Sequence, residues 1–369
     1  MANSSDPIFS HPDGPPCPVV ILVTGTQRRG AEVFAEQLSG SMRARGWDVG
    51  LLALKDSGAA ASIDAEALVG ADDPLNLSGL SLGLVRRLRR EVVSRRPAVV
   101  LAGGGATLKY AALALFGLRR GPKLVYSSIG EPEYWAKSRL KRRLLSALLG
   151  RADLITAVSQ ATAKQLIRSF SVSEARVRVA PTGVPDRFLD IRSTGPSKEL
   201  RILFIGSLSV EKNPAAAIRA HLEMSQPSHF RLIGDGPLRP QLEAGAHGSV
   251  DIVGSVADVA PHLAWADVLV LTSLTEGLPG VALEASAAGV PVVAFDVGGL
   301  SEIVEDGLTG LLVEAGDVAG MASALDRLAR DRAGLDAMSV RSREKIRGGF
   351  LMSDSVARYE AVFGELCGR

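Results

Sequence analysis

The chain has 369 residues, 46% of them hydrophobic and 22% charged, with a formal net charge of +2. That length exceeds an ordinary single domain, and the composition excludes a disordered, collagenous or disulfide-rich chain. No apolar run approaches eighteen residues, which excludes a membrane-spanning helix.

The opening stretch MANSSDPIFSHPDGPPCP is rich in Pro, Ser and Asp, and it lacks a basic start and an apolar core. Residues 1–17 therefore read as a disordered tail and not as a secretory signal. Cys17 and Cys367 lie near opposite ends. They do not suggest a disulfide framework or a metal site, and the cytoplasm is the default compartment.

From residue 18 to 188 short β-branched runs alternate with helical patterns. VVILVTG (19–25) reads as a buried strand and GAEVFAEQLSGSMRARG (30–46) as the helix after it. DVGLLAL (48–54), PAVVLAGG, PKLVYSS, ADLITAVS and VRVAPTG read as further strands. Helices are expected over 78–96 and within 134–149. The repetition predicts a parallel sheet covered by helices on both faces. Two glycine-rich turns invite nucleotide fingerprints and fail them. GTQRRGAE (25–32) has P-loop spacing, but Ala31-Glu32 stands where Lys-Ser/Thr is required. AGGGATL (102–108) places Leu108 where a dinucleotide site needs its third glycine.

The pattern breaks at a polar linker, 189–199, and restarts. LRILFIGSLS, HFRLIGDGP, VDIVGSV, ADVLVLTS, VPVVAFD and TGLLVEAG read as a second set of strands within 200–350. The expected fold is α/β, two Rossmann-like doubly wound domains facing each other across a cleft. SDSVARYEAVFGELCG (353–368) reads as a terminal helix, placed in 351–369, that could pack back on the first domain. Charge divides with the domains. Residues 1–185 hold 25 Lys and Arg against 15 Asp and Glu, and residues 186–369 hold 17 against 25.

TEGLPGVALEASAAGVPVVA (275–294) is the most informative stretch. Strand ADVLVLTS ends before it and Pro279 suits a first helical turn, so Gly277–Val281 forms a strand-to-helix elbow. Free N–H groups and the positive helix end make a phosphate seat there. Glu276 and Glu284 flank the elbow. Carboxylates repel phosphate, so they are expected to accept hydrogen bonds from hydroxyl groups on either side of a diphosphate.

EGLPGVALEASAAGVPVVAFDVGGLSEIVEDGLTGLLVEAGD (276–317) resembles the signature of the retaining glycosyltransferases of the sucrose- and glycogen-synthase-like class, with a GT-B fold and an E-x7-E motif. ILFIGSLSVEKNP, LIGDGPLRPQLEA and DIVGSVADVAPHLAWADVLVLTSLTEG extend the resemblance through the second domain, and the first domain follows more loosely. The resemblance implies a nucleotide-sugar donor held mainly by the second domain and a glycan or lipid-linked acceptor held by the first. It assigns Glu284 to the ribose hydroxyls, Glu276 to the donor-sugar hydroxyls and Lys212 to the diphosphate, which makes Glu276 and Lys212 the catalytic candidates. Gly277, Gly280 and Val281 would face the sugar and diphosphate, Val256 the base, and Gly30 would approach from the opposite wall. No metal and no other cofactor is implied, because cationic and N–H groups neutralise the leaving diphosphate.

Two departures stand out. Ser207 occupies a donor-side position where relatives carry arginine, and Arg28 or Arg29 could stand in from the opposite wall. Ile129 or Gly130 falls where many relatives place a histidine near the reacting centre. A nucleotide-sugar-binding relative without turnover, acting as partner subunit or sensor, is the alternative these departures motivate. A sugar-nucleotide epimerase is a further one. Basic stretches KSRLKRRLLSALLGR (137–151) and RRLRREVVSRR (86–96) fit an anionic membrane surface. More often such a pattern is an ordinary surface helix with long basic side chains over a packed leucine face. Nucleic acid is not expected, since no aromatic interleaving accompanies the charge. The expected setting is cytoplasmic, at the inner membrane face when a lipid-linked acceptor is used, in cell-envelope polysaccharide or glycolipid synthesis.

Overall fold

The computed structural model describes residues 17–58, 62–73, 79–195, 197–245 and 250–368. The expected tail lies outside these except for Cys17, which is buried at the entrance to the first strand. The first domain carries strands β1 (Val19–Gly25), β2 (Val49–Lys55), β3 (Glu66–Ala67), β4 (Val99–Gly103), β5 (Lys123–Ser128), β6 (Leu154–Ala157) and β7 (Val177–Val179). Its helices are α1 (Gly30–Ala44), α2 (Leu82–Arg95), α3 (Gly105–Ala114), α4 (Pro132–Trp135), α5 (Arg139–Leu149) and α6 (Gln160–Phe170). The second domain has strands β8 (Leu200–Ile205), β9 (Ser228–Ile233), β10 (Val250–Gly254), β11 (Val268–Leu271), β12 (Val292–Phe295) and β13 (Gly310–Val313). Helices α7 (Pro214–Glu223), α8 (Arg239–Gly245), α9 (Ala260–Trp265), α10 (Gly280–Ala287), α11 (Leu300–Ile303), α12 (Val318–Arg330), α13 (Arg332–Arg347) and α14 (Met352–Cys367) complete the chain.

The sheets run β3-β2-β1-β4-β5-β6-β7 and β10-β9-β8-β11-β12-β13. Every strand pair is parallel, with Val19 set between Val49 and Val99 in the first sheet. Continuous Val, Ile and Leu runs give strands buried on both faces, as such sheets require. In each sheet the order reverses at one point, between β1 and β4 and between β8 and β11. Crevices open at the carboxyl ends of those strands, where α/β sheets bind ligands.

A single helix is expected within 134–149, and the structure breaks it. Residues Ala136–Ser138 separate α4 from α5, and the Ser138 side chain accepts the Lys141 N–H at 3.2 Å, capping a new start. Helices α3 and α6 were not anticipated as separate elements. Apolar residues at helical spacing, such as Ala163, Leu166 and Phe170 in α6, seat both helices on the sheet.

The terminal helix α14 belongs to the first domain by its contacts. Val356, Tyr359, Val362 and Phe363 are buried against α1 and β1 in one cluster. The Tyr359 hydroxyl lies 3.2 Å from Ser127 Oγ and 3.4 Å from Thr156 Oγ1. Where α14 crosses back, the two interdomain passages bond to each other: Val184 N–H donates to Phe350 O and Met352 N–H to Val184 O, both at 2.9 Å. The two cysteines, whose spacing does not suggest a disulfide framework, form a disulfide in the structure. The fold brings the head of β1 and the end of α14 together across 350 residues, a proximity no local spacing announces.

Candidate functional site

The site forms where the β8 and β11 crevice of the second domain meets the first. After β11 the chain buries Thr272, Ser273, Thr275 and Glu276, with only Leu274 turned outward among them, before Pro279 opens α10. This loop is pinned to the one that follows β8. Thr272 Oγ1 donates to Asn213 O and Leu274 N–H donates to Glu211 O, each at 2.8 Å.

Glu276 is only 7% exposed, and a buried carboxylate requires compensation. One of its oxygens, Oε1, accepts from Ser273 Oγ and from Lys212 Nζ, each at 2.6 Å. Lys212 thus brings its cation to the elbow already oriented by the carboxylate. The neighbouring Glu211 carboxyl is pushed above its usual range by burial, with Lys212 pulling it down and Glu276 pushing it up. Glu284, half-buried in the second turn of α10, sits differently. Burial raises its pKa to about 7, opposed by the Arg187 charge and reinforced by Asp258. Its carboxylate has no hydrogen bond or ion pair among the described residues, so it is free to accept one from outside the chain. Arg187 comes from the 3-10 turn Asp186–Asp190 between the domains, a contribution the sequence did not reveal.

Glycine has two opposite uses here. A Cβ on Gly277 would overlap the Ile129 carbonyl oxygen and lie 2.9 Å from Gly130 Cα, so the opposite wall touches the elbow. At Gly280 and at Gly30 a Cβ would meet no atom within 4 Å. Nothing in the protein demands glycine at those two positions, and both leave their backbone open to close approach. Val281, next to Gly280, is half-buried at the start of α10, and Val256 packs against the same apolar cluster beside the elbow. Ser207 is exposed on the turn after β8. On the opposite wall Arg28 pairs with Glu36 at 3.0 Å, whereas the Arg29 guanidinium makes no hydrogen bond or salt bridge among the described residues and its charge acts on the Glu32 carboxyl.

Several side chains bridge the cleft through bonds that no sequence motif announces. Glu131 takes the Gln165 amide at 2.8 Å in its own domain and accepts from Thr275 Oγ1 across the cleft. In return Glu302, on α11, accepts the Gln160 and Ala161 backbone N–H groups at 3.0 Å each. A second-domain carboxylate therefore caps the N-terminus of a first-domain helix. The Ile129-Gly130 pair, read as the replacement for a histidine, presents backbone to the elbow and turns the Ile129 side chain toward Gly104. Glu32, in the first turn of α1, is buried with its carboxyl raised by burial and lines a cavity of about 20 Å³ with Ser127, Ile129 and Tyr359. That space holds about one water. Among the described residues no group of three His, Cys, Asp or Glu gathers to hold a metal ion, and no helix is long and apolar enough to cross a membrane.

Comparison with known proteins bears on both domains. A family model described as glycosyl transferases group 1 matches residues 199–331, and one described as glycosyltransferase family 4 matches residues 28–188. The chain is similar to an exopolysaccharide phosphotransferase of Streptomyces coelicolor, 32% identical over 59% of this chain and 24% of that protein. It is similar to the sulfoquinovosyl transferase of Arabidopsis thaliana, 27% identical over 72% of this chain and 56% of that protein. A D-inositol 3-phosphate glycosyltransferase of Nocardia farcinica is 29% identical over 72% of this chain and 62% of its own length. In each of these three the match spans less than two thirds of the relative. Among solved structures, Anabaena HepE in complex with UDP and glucose superposes with a TM-score of 0.79 at 22% identity, covering 95% of this chain and 100% of that one. Sucrose-phosphate synthase from Thermosynechococcus elongatus gives 0.80 at 20% identity, covering 95% and 99%. These likenesses identify the two-domain arrangement as the GT-B fold.

Proposed function

The chain belongs to the group 1 glycosyltransferases of GT-B fold, and we propose that it moves a sugar from a nucleoside diphosphate sugar to a glycan or lipid-linked acceptor with retention at the anomeric carbon. The observation that carries this reading is the elbow itself. It sets a buried carboxylate, Glu276, on one side of an open helix N-terminus and a free carboxylate, Glu284, on the other. In this reading the diphosphate lies against the Gly280-Val281 N–H groups, where helix-end charge favours an anion. Glu284 accepts the ribose hydroxyls and Glu276 the donor-sugar hydroxyls, while Val256 and Arg187 flank the nucleoside.

The reaction breaks the bond between the anomeric carbon and the diphosphate oxygen. The acceptor hydroxyl oxygen forms its bond on the same face, and its proton passes to the departing diphosphate. Negative charge grows on the leaving group, so its stabilisation is the protein's main task. Lys212, aimed by Glu276, and the elbow N–H groups supply that stabilisation, and no metal is needed in this scheme. The acceptor enters from the first domain, past Gly30 and the crevice between β1 and β4, and a role in cell-envelope polysaccharide or glycolipid synthesis follows from such acceptors. HepE is described with UDP-glucose, which makes that compound the first donor to test.

Release of UDP from UDP-glucose, measured with wild type and Glu276→Ala, tests the reading. Loss of turnover in the variant with its fold retained supports it, and unchanged turnover rejects it. A second reading, a nucleotide-sugar-binding relative without turnover, is favoured by Ser207 standing exposed where relatives place a cation. Tight UDP binding without turnover on any donor would select it.

A further inference from the structure

Helix α5 carries two leucine faces, and only one is used. Leu145 and Leu148 pack on the first-domain core and Leu149 is buried. Leu140 and Leu144, one turn apart, are 77% and 59% exposed. The expectation of a leucine face wholly packed under basic side chains is therefore met by half of the helix. Two more large apolar side chains stand out beside it, Trp135 at 58% and Phe116 at 63%. Helix α3, which leads to Phe116, packs alongside α5, and the Arg151 guanidinium lies 4.6 Å over the Phe116 ring.

Charge singles out the same layer. Residues 82–151 contain 16 Lys and Arg against three Asp and Glu, although the whole chain is nearly neutral. Lys137, just before α5, and Arg139, Lys141 and Arg143 within it are interleaved in the chain with Leu140 and Leu144. Two of the three acids, Glu131 and Glu133, accept bonds from Gln165 and Ser169, so they are engaged within the domain. The surface also borders the cleft. A Cβ on Gly130 would lie 3.7 Å from the Trp135 indole nitrogen, and the same glycine is the one pressed against Gly277.

Resting on the donor reading above, we propose that the α3–α4–α5 face docks on an anionic lipid bilayer. Trp135, Leu140, Leu144 and Phe116 enter the interfacial layer, and the surrounding cations meet the headgroups. Charge complementarity selects this occupant. Cations alone would suit a nucleic acid, and an apolar patch alone would suit a protein, but large apolar residues interleaved with Lys and Arg match an interface that is greasy within and negative above. Docking in this way holds the cleft mouth at the bilayer, where a lipid-linked acceptor presents its headgroup.

Co-sedimentation of the full chain with vesicles tests the proposal without any turnover, so it can fail independently of the donor reading. Binding is expected to phosphatidylglycerol–phosphatidylcholine vesicles and not to pure phosphatidylcholine, with partial release at about 0.5 M salt. Leu140→Ser/Leu144→Ser should weaken binding by about tenfold or more, while its melting temperature and UDP binding match wild type. Arg139→Glu/Arg143→Glu should remove binding to the same vesicles. No binding to phosphatidylglycerol vesicles overturns the proposal. So does binding that both double variants leave intact, and so does a preference for duplex DNA over vesicles.

Discussion

Gly277 of the second domain and Ile129 of the first meet backbone to backbone, so closely that a Cβ on the glycine would overlap the isoleucine carbonyl oxygen. The α10 elbow and the facing wall of the first domain are thus in contact, and in the proposed reading these are the donor and acceptor sides. Gly277→Ala should hold the domains apart. Turnover should fall by about a hundredfold, the cost of misplacing reacting groups by roughly an ångström. UDP binding should survive, because Glu284 and Val256 lie on the second domain. Small-angle scattering with saturating UDP should show a larger radius of gyration than wild type, and an unchanged radius with full turnover would count against this role.

Glu302 reaches across the cleft to the first two N–H groups of α6. Removing such a cap costs about 1 kcal/mol. Glu302→Ala should therefore speed amide exchange at Gln160 and Ala161, and it should loosen closure without touching the elbow. Exchange rates identical to wild type would show that the contact is not maintained in solution.

Glu284 sets a pH dependence whose sign can be worked out. Its carboxyl has an ordinary value of 4.5 and is raised to about 7 in the folded chain. Between those values the folded protein holds a proton that the unfolded chain has released, so stability of the free protein falls as pH rises through that window. Glu284→Gln should raise the melting temperature above about pH 7 and change little below about pH 4.5. An ionised carboxylate accepts ribose hydroxyls more strongly than a neutral carboxyl, so UDP affinity should increase as pH climbs through about 7, and the glutamine variant should lose that increase. Parallel pH profiles for the two proteins would contradict the assignment.

Asp267 is a largely buried hub outside the site. Its carboxylate takes the Arg201 N–H at 2.9 Å, Arg201 Nη2 at 2.7 Å and Arg332 Nη2 at 3.0 Å. Asp267→Ala leaves the Arg201 charge buried without its anion and should cost about 3–5 kcal/mol. Urea unfolding of the second domain measures the loss, and a change under about 1 kcal/mol would show the pair is dispensable.

The geometry of the elbow was legible because it is contiguous. Glu276, Gly280 and Glu284 lie on one strand–turn–helix passage, so their placement around the start of α10 could be read from spacing alone. Lys212 was reachable only through resemblance, since its bond to Glu276 spans 64 positions. The cross-cleft contacts were not legible. Glu131 meets Thr275 across 144 positions and Glu302 meets Gln160 across 142, and each depends on how two separately folded domains close. The pairing of Cys17 with Cys367 fails to show because it depends on the return of α14 to the first domain across 350 positions. On α5 the leucines lie on more than one face, so periodicity could not say that Leu145 packs and Leu140 does not. That decision belongs to the neighbouring α3 and α6.

The central claim, that a nucleoside diphosphate sugar sits astride the α10 elbow between Glu276 and Glu284, is tested most directly by calorimetry of UDP binding paired with UDP-glucose turnover. Wild type should bind UDP at one saturable site and release UDP from UDP-glucose. Glu284→Ala should lose most UDP affinity. Glu276→Ala should keep that affinity while turnover falls by about 10²–10³. UDP binding that Glu284→Ala leaves unchanged, or turnover that Glu276→Ala leaves unchanged, would contradict the account.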